Sequence, residues 1–162
     1  MNDDRSIKID RMRYTKNSAS SRLAILAILF DVFFFVSIYK SDVGSYYYNI
    51  LIGASILYNL VFMLAAFLAS EGVKNYKANY SWLLIALGLI QIARIFIIPV
   101  SAHAATITVK GETSIVMGNG QFARVIIYLA ISALCCLTSA AINLQKSRAL
   151  AAHVASLDGQ KA

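Results

Sequence analysis

Four long apolar runs divide the chain: Leu23–Tyr39 (LAILAILFDVFFFVSIY), Ile50–Ser70 (ILIGASILYNLVFMLAAFLAS), Leu83–Val100 (LLIALGLIQIARIFIIPV) and Val125–Leu144 (VIIYLAISALCCLTSAAINL). A helix of roughly 17–25 apolar residues crosses a bilayer, so each run suits one crossing and none suits two. Membrane strands would instead alternate over segments of about ten residues, and these runs are continuous. Only helices and closed barrels satisfy every backbone group in lipid. The pattern therefore predicts an all-α integral membrane protein, a four-transmembrane-helix bundle forming one domain over residues 1–162.

The connections carry the polar residues: a basic tail over 1–22, short links at 40–49 and 71–82, a longer loop over 101–124 and a tail over 145–162. In the long loop, Ala105–Met117 (ATITVKGETSIVM) alternates β-branched residues around Lys110 and Gly111. That spacing predicts a β-hairpin-like loop with Thr106–Val109 turning into Ser114–Met117, and Gly118, Asn119 and Gly120 ending it. In the C-terminal tail, Leu150, Val154 and Leu157 fall four and three apart among alanines, which predicts a helix that continues the fourth span or lies along the membrane surface.

Composition agrees with the runs. Of 162 residues, 59% are hydrophobic and only 14% charged, against about 45–50% and 25% in soluble domains. The net charge of +7 is placed for topology rather than for nucleic acid. Arg5, Lys8, Arg11, Arg13, Lys16 and Arg22 all precede the first run, where they are expected to contact anionic lipid headgroups. The N-terminal tail, the 71–81 loop (Lys74, Lys77) and the C-terminal tail (Lys146, Arg148, Lys161) hold eleven basic residues. The other connections hold three, Lys40, Lys110 and Arg124. Lys and Arg are retained on the cytoplasmic side, so both termini are expected there, with 101–124 outside and the plasma membrane as the site. Tyr46–Tyr48 on one side and Tyr76, Tyr80 and Trp82 on the other suit two aromatic belts. The first run is expected to remain as a span: it exceeds the 7–15 apolar residues of a signal, and Lys40–Gly44 offers no small-residue cleavage site.

Two opposite charges, Asp31 and Arg94, lie inside apolar runs. An ionisable group at such depth costs about 2.5–3.5 kcal/mol and normally finds a partner. At 1.5 Å per residue, Asp31 lies roughly 12 Å below Tyr39 and Arg94 roughly 9 Å below Val100, within reach of each other. Asn59 and Gln91 fall roughly 14 Å below the same ends of their runs. Gln91 and Arg94 share a helix face. Ser132, Cys136, Ser139 and Asn143 form one stripe on the fourth run, with Ser132 and Cys136 at the level of the charges. One polar layer is expected: Asp31, Asn59, Gln91, Arg94, Ser132 and Cys136. It would act either as a structural clamp fixing helix order or as a site for an ion or polar solute.

Cys135 and Cys136 are adjacent, so they point about 100° apart and suit packing better than soft-metal binding. The chain has no HExxH, GxSxG or phosphate-binding glycine loop. His103 and His153 have no companion at metal-ligand spacing. No cofactor, metal or catalytic residue is expected. The sequence supports a small non-enzymatic accessory or scaffolding subunit, or a homo-oligomer, whose partners are the bilayer and another membrane protein or itself. A small transporter or channel that uses Asp31, Asn59, Gln91 and Arg94 as its polar path is the alternative.

Overall fold

The computed structural model describes residues 16–38, 49–109 and 112–159. These form helices α1 (Ser18–Ile38), α2 (Asn49–Lys74), α3 (Asn79–Ile97), the short α4 (Pro99–Ala104), strands β1 (Thr106–Val109) and β2 (Glu112–Ile115), and helix α5 (Asn119–Gly159). Four helical stretches are long and apolar enough to cross a membrane: α1, most of α2, α3 running on through α4, and α5. The chain is therefore a membrane-embedded helical protein. Arg5, Lys8, Arg11, Arg13 and the tyrosines at 46–48 lie outside the described residues.

The helices bury their small and polar faces and expose their large apolar ones. Leu57 and Leu64 on α2 are each 62% exposed, and Phe96 and Ile97 on α3 are each 66% exposed. On α1 the buried line is Asn17, Ser20, Ala24, Ala27, Asp31, Phe34 and Ile38, spaced alternately three and four apart. Asn59, Phe62, Ala66, Ala69 and Val73 repeat that rhythm on α2, and Leu129, Ser132, Cys136, Ser139 and Asn143 repeat it on α5. A repeat of 3.5 residues keeps one seam turned to neighbouring helices. Small residues along the seam let backbones approach closely, as association in lipid requires.

The α5 helix is the centre of the bundle, packed most extensively on α1 and α3; α2 packs on α1 and more lightly on α3. α1 and α5 run antiparallel, since Ser20 meets Ser139, Ala27 meets Ser132 and Ser37 meets Gln121. Gly88 lets α3 come close to α5: an added Cβ there would lie 2.9 Å from Leu137 Cγ. The α2–α3 link closes through Tyr76, which adopts a positive φ of 58°. Lys77 N–H bonds Gly72 C=O and Tyr76 N–H bonds Val73 C=O, the paired bonds of a Schellman cap with tyrosine in place of the usual glycine.

Pro99 stands at the first turn of α4, where its missing N–H costs little. β1 and β2 pair antiparallel with Thr106 opposite Ile115 and Val109 opposite Glu112. This differs from the expected hairpin, whose second arm was placed at Ser114–Met117. Val116 and Met117 do not pair as strand residues; they are 4% and 0% exposed and pack with Phe34, Ile38, Ala102, Val125 and Leu129. Burying two apolar side chains outweighs two more ladder positions in so short a pair. Val116 N–H bonds Ala105 C=O, and the His103 ring, stacked on Phe122 at 4.2 Å, donates from Nδ1 to Met117 C=O at 3.0 Å. The loop is thus plugged into one end of the bundle. At the other end α5 continues unbroken through the C-terminal tail to Gly159.

Candidate functional site

Two polar layers cross the bundle. The first lies near the end where α1 begins. Asn143 on α5 donates from Nδ2 to Ser81 Oγ (2.7 Å) and to Lys77 C=O (3.1 Å), and accepts from Asn17 Nδ2 (3.2 Å). Asn17 Oδ1 in turn accepts from Lys146 Nζ at 3.2 Å, and Asn17 N–H bonds Lys74 C=O at 3.0 Å. One turn deeper, Ser20 donates to Ser139 C=O (2.6 Å) while Ser139 donates to Ser20 C=O (2.7 Å). Such crosswise bonding brings two helix backbones into contact, which only small side chains allow. Ser21 and Ser70 hydroxyls meet at 2.9 Å and tie α1 to α2. Every side chain in this layer has an interhelical partner.

The second layer contains the two charges, and the structure pairs them. Arg94 Nη1 donates to Asp31 Oδ1 at 3.0 Å, and both side chains are buried. Gln91 Nε2 donates to the same oxygen at 2.8 Å and lies 3.5 Å from Ser132 Oγ, which donates to Ala27 C=O at 2.9 Å. Ser132 thus links α1, α3 and α5. The Arg94 guanidinium also lies over the rings of Phe34 (4.2 Å) and Tyr58 (4.6 Å). Desolvated cation–π contacts contribute about 2 kcal/mol or more and offset part of the cost of burying the charge. The sequence reading missed both rings, although Phe34 falls three residues after Asp31 and so shares its face.

Asn59 and Cys136 do not join this network. Asn59 donates to Ser55 C=O on its own helix at 3.0 Å. Cys136 packs in the apolar cluster with Ala27, Phe62 and Leu87, and Cys135 belongs to the same cluster; both are free thiols. Among the described residues, no group of three metal-ligating side chains converges. Asn59 instead shares a cavity of about 80 Å³ with Asp31, between α1 and α2 and walled by Val32, Phe35, Ile56, Leu60 and Met63. Asp31 Oδ2, Asn59 Oδ1 and Gln91 Oε1 have no hydrogen-bond donor among the described residues. Amide orientation is fixed in both cases by the bonds the nitrogens make. The Tyr58 hydroxyl, which can donate as well as accept, is likewise buried without a partner among the described residues, so the layer is an ion pair surrounded by unmatched polar atoms.

The headgroup candidates that can be placed, Lys16 and Arg22, are exposed at the end where α1 begins. Trp82 is 63% exposed on the first turn of α3, at that same end. Tyr76 and Tyr80 are half-buried there, as an interfacial belt requires. No family model, curated protein or solved structure matches the chain. Function is read from the bundle's own chemistry.

Proposed function

We propose that the chain is a non-enzymatic multi-pass protein of the plasma membrane that serves as an accessory or scaffolding subunit, or as a homo-oligomer, of a membrane complex. The observation that carries this reading is the direct Asp31–Arg94 pair. The two charges answer each other and lock α1 to α3, so neither is left to bind an ion by itself. Interhelical bonding by Asn17, Ser20, Ser21, Ser70, Ser81, Ser139 and Asn143 extends the same stabilising role toward the termini. The eleven-to-three split of basic residues supports cytoplasmic termini and an extracytoplasmic 101–124 loop. The basic N-terminal tail suits anionic headgroups on the cytoplasmic leaflet.

The buried oxygens of Asp31, Asn59 and Gln91 that lack a donor among the described residues favour a second reading, a small transporter or channel for an ion or polar solute. Charge exchange separates the two. In a scaffold, Asp31→Arg combined with Arg94→Asp recovers the expression and oligomeric state that either single change loses. In a transporter, the exchanged protein folds but carries no flux. Mild-detergent purification gives the complementary result: a stoichiometric membrane-protein partner or a defined homo-oligomer supports the scaffold, and a monomer with solute flux overturns it.

A further inference from the structure

A lateral groove of about 440 Å³ runs between α1 and α5 near the strand end of the bundle. Its upper wall is Gln121 and Arg124, and its floor is Val32, Phe33, Val36 and Tyr128. We infer that this groove seats one anionic phospholipid, with the phosphate on the Arg124 guanidinium and an acyl chain lying along the apolar floor. The site goes beyond the scaffold reading and lies at the opposite end from the basic N-terminal tail.

The order of residues along the two helices carries the inference. Polar groups sit near the end of α1 and the start of α5: Gln121 Nε2 donates to Ser37 C=O at 2.8 Å, and Arg124 lies in the second turn of α5. One to two turns deeper, both helices present only Val32, Phe33 and Tyr128 to the groove. A phospholipid has that same sequence of charge and hydrocarbon along the membrane normal. Arg124 is exposed, and its Nε–H donates to Gly120 C=O at 3.1 Å, which holds the guanidinium at the groove mouth. Among the described residues it is the one charged side chain in the lining, so the described lining is net positive. The positive end of the α5 dipole adds to that potential. The floor is stiffened by ring contacts: Phe33 to Tyr128 at 5.8 Å, Phe30 to Phe33 at 6.0 Å and Phe30 to Tyr128 at 6.3 Å. Phe33 and Val36 are 43% and 48% exposed on the apolar flank, so the groove opens sideways, toward lipid.

The test uses the full chain in phosphatidylcholine nanodiscs with added phosphatidylglycerol, reading lipids retained per chain by native mass spectrometry. One phosphatidylglycerol per chain is expected, retained at least about tenfold over phosphatidylcholine. Arg124→Gln abolishes the preference and Arg124→Lys keeps most of it. Val32→Trp fills the floor and lowers retention with the cation intact. Arg148→Gln, an exposed cation far along α5, changes nothing. Since Arg124 and Arg148 are surface residues, both variants remain informative if Val32→Trp fails to fold. Equal retention of the two lipids overturns the proposal, as does an unchanged preference in Arg124→Gln. Displacement of the lipid by millimolar inorganic phosphate would identify a free-anion site instead. A dimer that excludes lipid from the groove would identify a second copy of the chain as the occupant.

Discussion

Asn143 and Asn59 are both buried asparagines on membrane helices, yet their surroundings differ completely. Asn143 uses both amide protons and its oxygen to join α5 to Ser81, Lys77 and Asn17. Asn59 bonds a carbonyl of its own helix, and its oxygen is buried without a donor among the described residues. The contrast extends to the layers they belong to. Near the termini, small hydroxyls and amides meet at short range and each is satisfied. Around Asp31, large groups meet through one shared carboxylate oxygen, and several buried polar atoms, the Tyr58 hydroxyl among them, have no partner among the described residues. The first layer matches every group it buries; the second buries an ion pair and leaves polar atoms around it unmatched.

The largest effect should come from breaking the pair. Arg94→Ala leaves the Asp31 carboxylate buried without its cation, an expected loss of about 3–5 kcal/mol, read as the unfolding midpoint in mixed micelles. Replacing both partners with apolar residues, Asp31→Leu with Arg94→Met, should restore most of that stability; failure to do so would mean that the surrounding groups depend on the charge. The contrast between layers is tested next by Asn143→Ala. Interhelical polar bonds in membranes average roughly 0.6 kcal/mol each, so losing three of them should cost about 2 kcal/mol in the same assay. Asn59→Leu should change stability least, by less than about 0.5 kcal/mol, because it removes a buried acceptor that has no partner. If Asn59→Leu were as damaging as Asn143→Ala, Asn59 would hold an interhelical role and the two layers would be alike.

The four spans and the Asp31–Arg94 pair were legible because both follow from depth. Length of apolar run sets where a helix crosses, and the helical rise then sets which polar groups are level. The Ser132, Ser139 and Asn143 stripe was legible through its spacing for the same reason. Depth alone does not give azimuth. Asn59 lies near Asp31 in height but bonds along its own helix, and Cys136 turns into the apolar cluster. The termini-end layer was less visible because Asn17, Ser20 and Ser21 precede the apolar run, where they read as polar flank. Their signal is the alternation of three and four that runs from Asn17 through Ala24 and Ala27 to Asp31. The second strand was misplaced because Val116 and Met117 are as β-prone as their neighbours, and only the core they fill shows that they leave the ladder.

The length of α5 has a mechanical consequence. Its 41 residues span about 60 Å at 1.5 Å per residue, about twice the hydrocarbon thickness of a bilayer. Residues 121–158 contain neither glycine nor proline, so no hinge interrupts the rod. From Lys146, bonded to Asn17 in the layer near the start of α1, to Gly159 is 13 residues, an arm of about 20 Å. A tilt of about 10° around that layer would carry the tip through about 3.5 Å. A small adjustment at that layer is therefore carried, as a larger one, to whatever meets the far end of this arm.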